Sequence, residues 1–240
     1  MSKATLVSKT AVDPIYVESL TDFEEPEDIQ QLEFMRKIKR DPEQLMIYIA
    51  RVSSPNQINP SYEKLLKYCW EHGHFSVFEQ INCTIEVETD LNVAAQLLRH
   101  RSFVFQQLSR RYSSQKPEFV ILEARGQDLK NRQNSLDNLT DHQKLEFLAM
   151  QSNVISQAAK YYEKAIDMGI AKEVARYLLP TSTKTKLYVT GTLRSFIHYV
   201  NVRSDVSSQL EHRDLAIAVK DQLCYHFPVT AKAVWDKEGL

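Results

Sequence analysis

The spacing of apolar residues predicts a mainly helical chain. In several segments an apolar residue recurs every three or four positions, as it does on the buried side of an amphipathic helix. Helices are predicted at Pro26–Lys39, Asp41–Val52, Asn59–Gly73, Leu91–His100, Thr140–Gly169, Lys172–Leu179, Leu193–Arg203 and Val206–Phe227, with a short one after Pro228. Asp41, Asp90 and Thr140 are the expected N-caps of three of them, because their side chains can accept hydrogen bonds from unpaired backbone N–H groups.

Strict alternation of apolar and polar residues marks the clearest predicted strand. Over Ile81–Glu88 every second residue is apolar, which is the period of a half-buried strand. Leu187 and Val189 indicate a second strand, residues 102–118 are expected to be extended or looped, and Glu123–Asn138 is interpreted as a polar surface insertion. Because helices dominate and the few strands do not alternate regularly with them, the pattern favours the α+β class over a doubly wound sheet.

Composition narrows the class of protein. The chain has 240 residues, of which 43% are hydrophobic and 25% charged, and its formal net charge is −1. This is enough apolar material for the core of one large domain or two small ones, so the bulk of the chain is not expected to be disordered. A surface devoted to nucleic acid is usually strongly basic, so any anion-binding site here has to be local.

Cysteine usage and the absence of targeting patterns favour a cytoplasmic protein. No apolar run approaches the ~18 residues of a membrane span, and the N-terminal stretch lacks the apolar core of a secretory signal. Cys69, Cys83 and Cys224 are odd in number and far apart, which argues against a disulfide framework or a metal knuckle. We therefore expect a reducing cytoplasmic environment, no membrane partner, no metal site, and cysteines that serve as packing residues.

One segment stands out by its charge. Between Leu91 and Pro117 there is no Asp or Glu. The same interval contains the basic residues Arg99, His100, Arg101, Arg110, Arg111 and Lys116. Arginine forks match the geometry of phosphate, and the aromatic residues interleaved with them could stack on a planar ring.

Other uses of these arginines stay open at this level. Arg99 and Arg101 would end a helix, where the helix dipole favours cations. The Arg110–Arg111 pair could form ion pairs with Glu86 and Glu88 of the predicted strand. The basic, aromatic segment could also bind RNA or another single strand, or the chain could be a helical interaction module with incidental arginines.

Four ordered motifs resemble those of the flavin-dependent thymidylate synthases. The signature segment is Arg99–Ser113, with the sequence RHRSFVFQQLSRRYS. Upstream, His72–Gln80 is similar to the family's His-x-Ser/Thr-x-Phe-Glu segment. Downstream, Glu173–Pro180 and Leu193–Arg213 are similar to the family's later blocks, in the same order and spacing.

The resemblance implies an enzyme that converts dUMP to dTMP by reductive methylation. In that family methylenetetrahydrofolate supplies the carbon, FAD carries the hydride, and NADPH reduces the flavin. The resemblance also implies an α+β fold, mainly helical around a small and largely antiparallel sheet, in a homotetramer without nucleic-acid or membrane partners. Residues 1–240 would then be a single catalytic domain whose active site is completed by neighbouring subunits.

The same resemblance implies which residues form the site. Flavin-binding positions of the family match Ser76, Arg99, His100, Arg101, Gln107, Thr192, Leu193, Arg194 and His198. Nucleotide-binding positions match Gln96, Leu97, Leu98, Arg99, Gln107, Leu108, Ser109, Arg110, Arg111, Arg176 and Arg203. Arg203 matches the catalytic residue that acts on the uracil ring, where a fixed cation stabilises the anionic form of the ring and raises the electron density at C5. Unrelated thymidylate synthases attack this ring with a cysteine, but no cysteine of this chain falls in a motif.

Overall fold

The computed structural model describes residues 2–16, 29–38, 40–59, 61, 63–113 and 115–236, without the side chains of residues 30–32, 34 and 35. Pro26, Lys39, Pro60 and Tyr62 belong to the predicted helices and lie outside the described residues. Within the described ranges, no helix is both long enough and apolar enough to span a bilayer.

Helices make up most of the regular structure. The described α-helices are α1 (Ile29–Ile38), α2 (Pro42–Ala50), α3 (Glu63–Glu71), α4 (Leu91–Leu97), α5 (Asp141–Asp167), α6 (Lys172–Ala175), α7 (Leu193–Arg203), α8 (Leu210–His226) and α9 (Pro228–Trp235). Short 3-10 helices lie at Phe75–Glu79 and Arg176–Leu178. A helix lies within each segment predicted from apolar spacing, although several of these helices are shorter than predicted.

The predicted caps and stops are confirmed as well. The Asp41 side chain accepts a hydrogen bond from the first turn of α2, and Asp90 accepts two from α4. Thr140 begins α5 with the expected capping box. Gly73 and Gly169 follow helices with φ values of 72° and 81°, a conformation that a residue without Cβ adopts at little cost.

Several helices differ from their predicted extents. Helix α3 begins at Glu63 rather than Asn59, and α4 ends at Leu97 rather than His100. The helix expected at Lys172–Leu179 is a single α-helical turn, α6, followed by a 3-10 helix. Helix α8 begins at Leu210 rather than Val206. The reason is local, because the Asp205 carboxylate accepts hydrogen bonds from the backbone N and the Oγ of Ser207 and holds this stretch in a turn.

The described strands form a four-stranded sheet and a two-stranded hairpin. They are β1 (Lys3–Lys9), β2 (Asn82–Asp90), β3 (Val104–Gln107), β4 (Gly126–Gln127), β5 (Ser135–Leu136) and β6 (Lys184–Thr192). The order in the larger sheet is β1-β2-β6-β3, and β4 pairs antiparallel with β5. The predicted α+β class, with a small antiparallel sheet among many helices, is confirmed.

The predicted strands β2 and β6 have the burial pattern of strands with one face in the core. In β2, Cys83, Ile85 and Val87 are buried while the residues between them are not. The sequence does not predict β1, and it predicts β3 only as part of the extended or looped stretch 102–118. Strand β1 is an edge strand that is largely exposed, and β3 has four residues, so neither carries a long alternating pattern.

The chain divides into two compact units. The first unit consists of Met1–Ala4, Glu86–Val189 and Asn201–Ala218, and the second unit consists of Thr5–Ile85, Thr190–Val200 and Val219–Leu240. Buried apolar residues of the first unit include Val93, Leu97, Leu187 and Leu215, and those of the second unit include Met46, Leu66, Phe78 and Phe227. The expectation of one catalytic domain completed by neighbouring subunits stays a prediction.

The interpretation of all three cysteines as packing residues is wrong for Cys224. Cys69 and Cys83 are buried, whereas Cys224 is exposed. On α8 the buried stripe includes Val219 and Leu223. Because each residue of an α-helix turns by about 100° relative to the one before, the position after Leu223 leaves this stripe and faces solvent.

A buried carboxylate holds the start of α9 in the second unit. Glu43 of α2 is 1% exposed, and its two oxygens accept hydrogen bonds from the backbone N of Thr230 at 2.6 Å and of Val229 at 3.3 Å. These N–H groups lie in the first turn of α9, where no intrahelical acceptor exists. Burial raises the pKa of the Glu43 carboxyl, and the hydrogen bonds from Thr230 and Val229 oppose that rise. Glu43 therefore acts as a cap from a distant part of the sequence.

Replacing Glu43 by Ala is expected to lower the free energy of unfolding by about 2 kcal/mol or more, because two buried N–H groups lose their acceptor. Glu43→Gln keeps one acceptor oxygen and should lose less. Glu63→Ala is the matched control, since Glu63 also contacts α9, through an exposed ion pair of 3.7 Å with Lys232. Such pairs contribute about 0–1 kcal/mol. Urea unfolding measures the difference, and equal losses for the two alanine variants would contradict the capping role.

Candidate active site

Two arginines of the acid-free segment form no ion pair with any carboxylate in the described ranges of the chain. Arg99 and Arg101 follow α4 and are exposed. None of the ion pairs in the described part of the chain includes either of them. Their guanidinium groups are therefore available to an anionic ligand.

Arg110 and Arg111 do not pair with Glu86 and Glu88, so this structural alternative is wrong. Lys186 of β6 takes both carboxylates, at N–O distances of 3.1 Å and 3.2 Å. Arg110 is buried, and its guanidinium donates to two backbone carbonyls at 2.8 Å and 3.4 Å. The Arg110 fork thus holds the backbone of its own neighbourhood in the first unit.

The segment after β3 is ordered by hydrogen bonds to β6. The Leu108 N donates to a carbonyl of β6 at 2.9 Å, and Gln107 Nε2 donates to Thr185 Oγ1 at 3.2 Å. The Ser109 Oγ accepts from the backbone N of Arg111 at 3.3 Å. Several candidate nucleotide-binding residues are therefore presented on a fixed turn of the first unit.

Arg111 and Arg176 come together at one acidic residue. Arg111 Nη2 lies 3.3 Å from Glu173 Oε2, and Arg176 Nε donates to the Glu173 carbonyl at 3.3 Å. The two arginines belong to different sequence motifs, so the first unit brings together two of the predicted nucleotide-binding residues. Both side chains of the Arg111–Glu173 ion pair are at least half exposed. Such a pair is weak enough for an anionic ligand to replace the carboxylate.

The predicted catalytic arginine contacts the middle residue of the Arg-His-Arg run. Arg203 Nε donates to His100 Nε2 at 2.9 Å. A guanidinium cannot accept a hydrogen bond, so His100 Nε2 must be the acceptor and carries no proton. None of the ion pairs that the described residues make includes Arg203. Arg203 therefore combines an oriented side chain with a charge that no carboxylate of the described part of the chain pairs with.

The remaining nucleotide candidates lie at the end of α4. Gln96 is half-buried, and its Nε2 donates to Gln209 Oε1 at 2.6 Å. Leu97 is buried in the core, so only its backbone could meet a ligand, whereas Leu98 is exposed. Gln96 is thus the member of this group whose side chain has both polarity and a fixed partner.

A cavity of about 410 Å³ lies in the first unit. Leu108 and Arg110 are the predicted site residues that line it, together with residues of both charges that include Lys184, Lys186 and Glu211. The other predicted site residues lie outside this cavity.

Of the flavin candidates of the second unit, Arg194 contacts the 3-10 helix that carries Ser76. Arg194 forms an ion pair with Glu79, and its guanidinium carbon lies 5.3 Å from the centre of the Phe75 ring. His198 is exposed one helical turn after Arg194, on the same face of α7. An exposed hydroxyl, a cation over an aromatic face and an imidazole are thus available on this unit.

Thr192 and Leu193, the other flavin candidates of this unit, have structural contacts. Thr192 Oγ1 accepts from the backbone N of Ser195 at 3.2 Å, which orders the first turn of α7. Leu193 is buried, and its N donates to the Ile81 carbonyl at 2.9 Å. The Leu193 side chain packs in the core and could serve a ligand only through its backbone.

The donor groups present fit FAD, which combines a doubly charged pyrophosphate with a planar ring system. In the first unit, Arg99 and Arg101 offer guanidinium groups without carboxylate partners, and these match phosphate oxygens. In the second unit, Arg194 beside the Phe75 ring combines a cation with an apolar face. Each unit therefore carries residues suited to part of this cofactor.

Partners of the predicted residues could not be singled out by residue type alone. Glu173, Glu79 and His212 each contact a predicted site residue. All three lie inside the motifs that carry the resemblance, and their place in these motifs is the signal that could have identified them. What the sequence does not contain is the pairing, which joins residues far apart along the chain.

Comparisons with known proteins agree with these observations. The model of a family described as "Thymidylate synthase complementing protein" matches residues 34–229. A flavin-dependent thymidylate synthase of Synechocystis sp. is 49% identical over 193 residues, which are 80% of this chain and 89% of the relative. A probable flavin-dependent thymidylate synthase of Paramecium bursaria Chlorella virus 1 is 46% identical over 80% of this chain and 90% of its own length. A flavin-dependent thymidylate synthase of Kosmotoga olearia is 35% identical over 71% of this chain and 75% of its own length. The chain belongs to the flavin-dependent thymidylate synthase family.

Proposed function

We propose that this chain converts dUMP to dTMP and that Arg203 is its catalytic residue. The observation that carries this assignment is the 2.9 Å hydrogen bond from Arg203 Nε to His100 Nε2, which joins two motifs of the family. Membership of the family favours an enzyme over a single-strand-binding protein or a helical interaction module. Methylenetetrahydrofolate is the carbon donor, and bound FAD, reduced by NADPH, supplies the hydride.

Arg203 acts by stabilising negative charge on the uracil ring. Methylation at C5 requires electron density there, which grows when N3 and O4 of the ring carry anionic character. A guanidinium keeps its charge at all working pH values and presents a planar fork to such an edge. With Nε engaged by His100, the Nη groups of Arg203 are the ones assigned to the substrate.

The phosphate and sugar of dUMP are assigned to the turn after β3 and to nearby arginines. The proposed residues are Gln96, Leu97, Leu98, Arg99, Gln107, Leu108, Ser109, Arg110, Arg111 and Arg176. Ser109 and Arg111 support this assignment by lying on an ordered turn, and Arg176 by contacting the same glutamate as Arg111. The buried fork of Arg110 shapes this turn through backbone carbonyls, and its proposed effect on the nucleotide is indirect.

FAD is assigned to two groups of residues, one on each unit. Arg99, His100, Arg101 and Gln107 are the proposed contacts of the first unit. Ser76, Thr192, Leu193, Arg194 and His198 are those of the second unit. The support is the uncompensated charge of the arginines after α4 and the exposed Arg194–His198 face of α7. Leu193 is assigned through its backbone, since its side chain is buried.

The cysteines support a route without a thiolate nucleophile. Burial raises the pKa of the Cys83 thiol to about 12 and also raises that of Cys69. Both groups therefore stay protonated at neutral pH, and a thiol is a poor nucleophile. The three cysteines are free thiols, which also supports the cytoplasmic location that we propose.

Purified protein supplied with FAD should show a flavin absorbance band and should form dTMP from dUMP, methylenetetrahydrofolate and NADPH. Product formation is followed by chromatography, and omission of each reactant in turn is the control. Protein that binds no flavin and forms no dTMP after FAD addition would contradict the proposed function.

Arg203→Ala is expected to lower kcat by about 10²–10³-fold, because a preorganised charge at the uracil ring is lost. The melting temperature and the bound FAD should stay close to wild type. Arg203→Lys keeps the charge without the fork and should be intermediate. Arg213→Ala is the matched control, since Arg213 lies on α8 and donates weakly to a backbone carbonyl at 3.5 Å. Wild-type turnover in Arg203→Ala would remove Arg203 from the mechanism.

We also propose that the chain is a homotetramer of single catalytic domains whose active sites are completed by neighbouring subunits. Support comes from α5, which exposes an apolar stripe on one face. Phe147, Met150, Val154 and Tyr161 are 42%, 55%, 58% and 52% exposed, and their spacing of three, four and seven residues places them in one line. A stripe of this kind on a 27-residue helix is typical of a helix that packs against another copy.

Val154→Lys should weaken this assembly at least about tenfold, because a charge would be buried in the apolar contact. Ser156→Lys is the control, since Ser156 is exposed on another face of the same helix. Light scattering after size-exclusion chromatography gives the mass of each variant across a range of concentrations. An assembly whose mass responds equally to both substitutions would show that the stripe is not the contact.

A further inference from the structure

A chain of hydrogen bonds joins Gln96 to the hairpin of the first unit. His212 of α8 is fully buried, and its Nδ1 lies 3.2 Å from Gln96 Oε1. Gln96 Nε2 donates to Gln209 Oε1 at 2.6 Å, and Gln209 Nε2 donates to Glu211 Oε2 at 2.8 Å. Arg125, the residue before β4, completes the chain through an ion pair of 2.6 Å with Glu211 Oε1. All of these residues belong to the first unit.

The donors and acceptors allow one direction along this chain. Arg125 can only donate, and an ionised Glu211 can only accept, so both oxygens of Glu211 are acceptors. Gln209 must then turn its Nε2 towards Glu211 and its Oε1 towards Gln96. Gln96 in turn donates through Nε2, which leaves its Oε1 to accept from His212 Nδ1. The amide of Gln96 is therefore held in one of its two flip states by charges and donors at both ends.

His212 and Glu211 are both held in the protonation state that this direction of the hydrogen bonds requires. Burial lowers the pKa of His212 to about 4, with a smaller contribution from the charge of Arg203, so the ring is neutral at pH 7. Burial on its own would raise the pKa of Glu211. Hydrogen bonds from Gln209 and Arg125 outweigh that effect and leave the pKa below its usual value, so Glu211 stays ionised.

Arg125 links this series of hydrogen bonds to Glu123–Asn138, the polar stretch that the sequence predicts to be a surface insertion. Its Nε donates to Ser135 Oγ at 2.9 Å, at the start of β5, while its Nη2 binds Glu211. The side chains of Arg125 and Glu211 are only 21% and 13% exposed. Losing one partner of such a pair leaves a largely buried charge, so the β4–β5 hairpin is strongly coupled to the hydrogen-bonded series that leads to Gln96.

We propose that His212 and the Arg125–Glu211 ion pair are positioning residues that fix the side-chain amide of Gln96 for nucleotide binding, so that the β4–β5 hairpin is part of the working site. With its two partners in place, Gln96 offers a ligand the second N–H of Nε2 and the second lone pair of Oε1 in a single orientation. This inference rests on the proposed assignment of Gln96 to the dUMP site. It adds the residues that determine how Gln96 is presented.

The test compares dUMP affinity with stability in the FAD-loaded protein. Arg125→Met and His212→Phe each remove one end of the chain while keeping much of the side-chain volume. Each is expected to raise the dissociation constant for dUMP about five- to tenfold, the loss of roughly one hydrogen bond. Their kcat at saturating dUMP should stay within about twofold of wild type, since the amide positions the nucleotide and does not take part in the chemistry. Arg125→Lys keeps the cation and should recover most of the affinity.

Arg132→Met is the matched control, because Arg132 is an exposed arginine on the same hairpin segment. The second arm repeats Arg125→Met in a Gln96→Ala background. If Arg125 acts through Gln96, the second substitution adds nothing to the loss that Gln96→Ala causes by itself. Calorimetric titration with dUMP, thermal unfolding and flavin absorbance are measured on every variant.

The outcomes separate this inference from the function on which it rests. Weaker dUMP binding in Arg125→Met but not Arg132→Met, absent in the Gln96→Ala background, supports it. Unchanged affinity in Arg125→Met and His212→Phe, with Gln96→Ala weakened, overturns the positioning role and leaves the function intact. Unchanged affinity in Gln96→Ala overturns the inference, because it removes Gln96 from the dUMP site. Formation of dTMP by the wild-type protein would still support the proposed enzymatic function. If His212→Phe does not fold, Arg125→Met decides alone, since Arg125 lies nearer the surface.

Discussion

The central physical constraint in this protein is the positive charge between Leu91 and Pro117, which no acidic residue of that interval can balance. Arg111 and Lys116 of the interval reach glutamates outside it, Glu173 and Glu163, whereas none of the ion pairs among the described residues includes Arg99 or Arg101. Repulsion between like charges extends over a Debye length of about 8 Å at physiological ionic strength. Guanidinium groups kept without carboxylate partners therefore favour states in which an anion is bound. In the proposed function the phosphates of dUMP and FAD are that anion, which would link the arginine segment to the nucleotide chemistry.

Local features of the sequence predicted the elements, because their causes are local. The Asp90 side chain caps α4 by accepting hydrogen bonds from N–H groups two and three residues further on, and this can be recognised without any tertiary contact. The alternation in β2 works in the same way, since one face of the strand is buried. Strand β1 was not predicted because pairing with β2, rather than a pattern in its own sequence, makes it a strand. The same limit applies to the hairpin in the polar stretch.

Arg110 and Arg111 show the limit of predicting a functional site from sequence. They are adjacent, equal in charge and in the same motif, yet one is buried against backbone carbonyls and the other forms an exposed ion pair. The difference arises from pairing with β6 and from Glu173 of α6, both far away along the chain. Likewise, Gln96 meets Gln209 across 113 positions, and no pattern of residue types encodes that contact. Residue types indicate the chemistry available, whereas long-range packing decides which side chain carries it.

For the proposed role of Arg203, its pairing with His100 gives a physical reason why a guanidinium would serve better than an amine. A lysine ammonium is a point charge whose three donors rotate freely, so it stabilises an anion without selecting an orientation of the ring. The guanidinium is rigid and planar, and a hydrogen bond at Nε restricts the plane in which its Nη groups lie. Because the imidazole has to accept at Nε2, protonation there would break this hydrogen bond and place a second charge beside the first. The orientation of Arg203 is thus tied to an Nε2 of His100 that carries no proton, and the proposed placement of charge at the uracil ring would rest on this hydrogen bond.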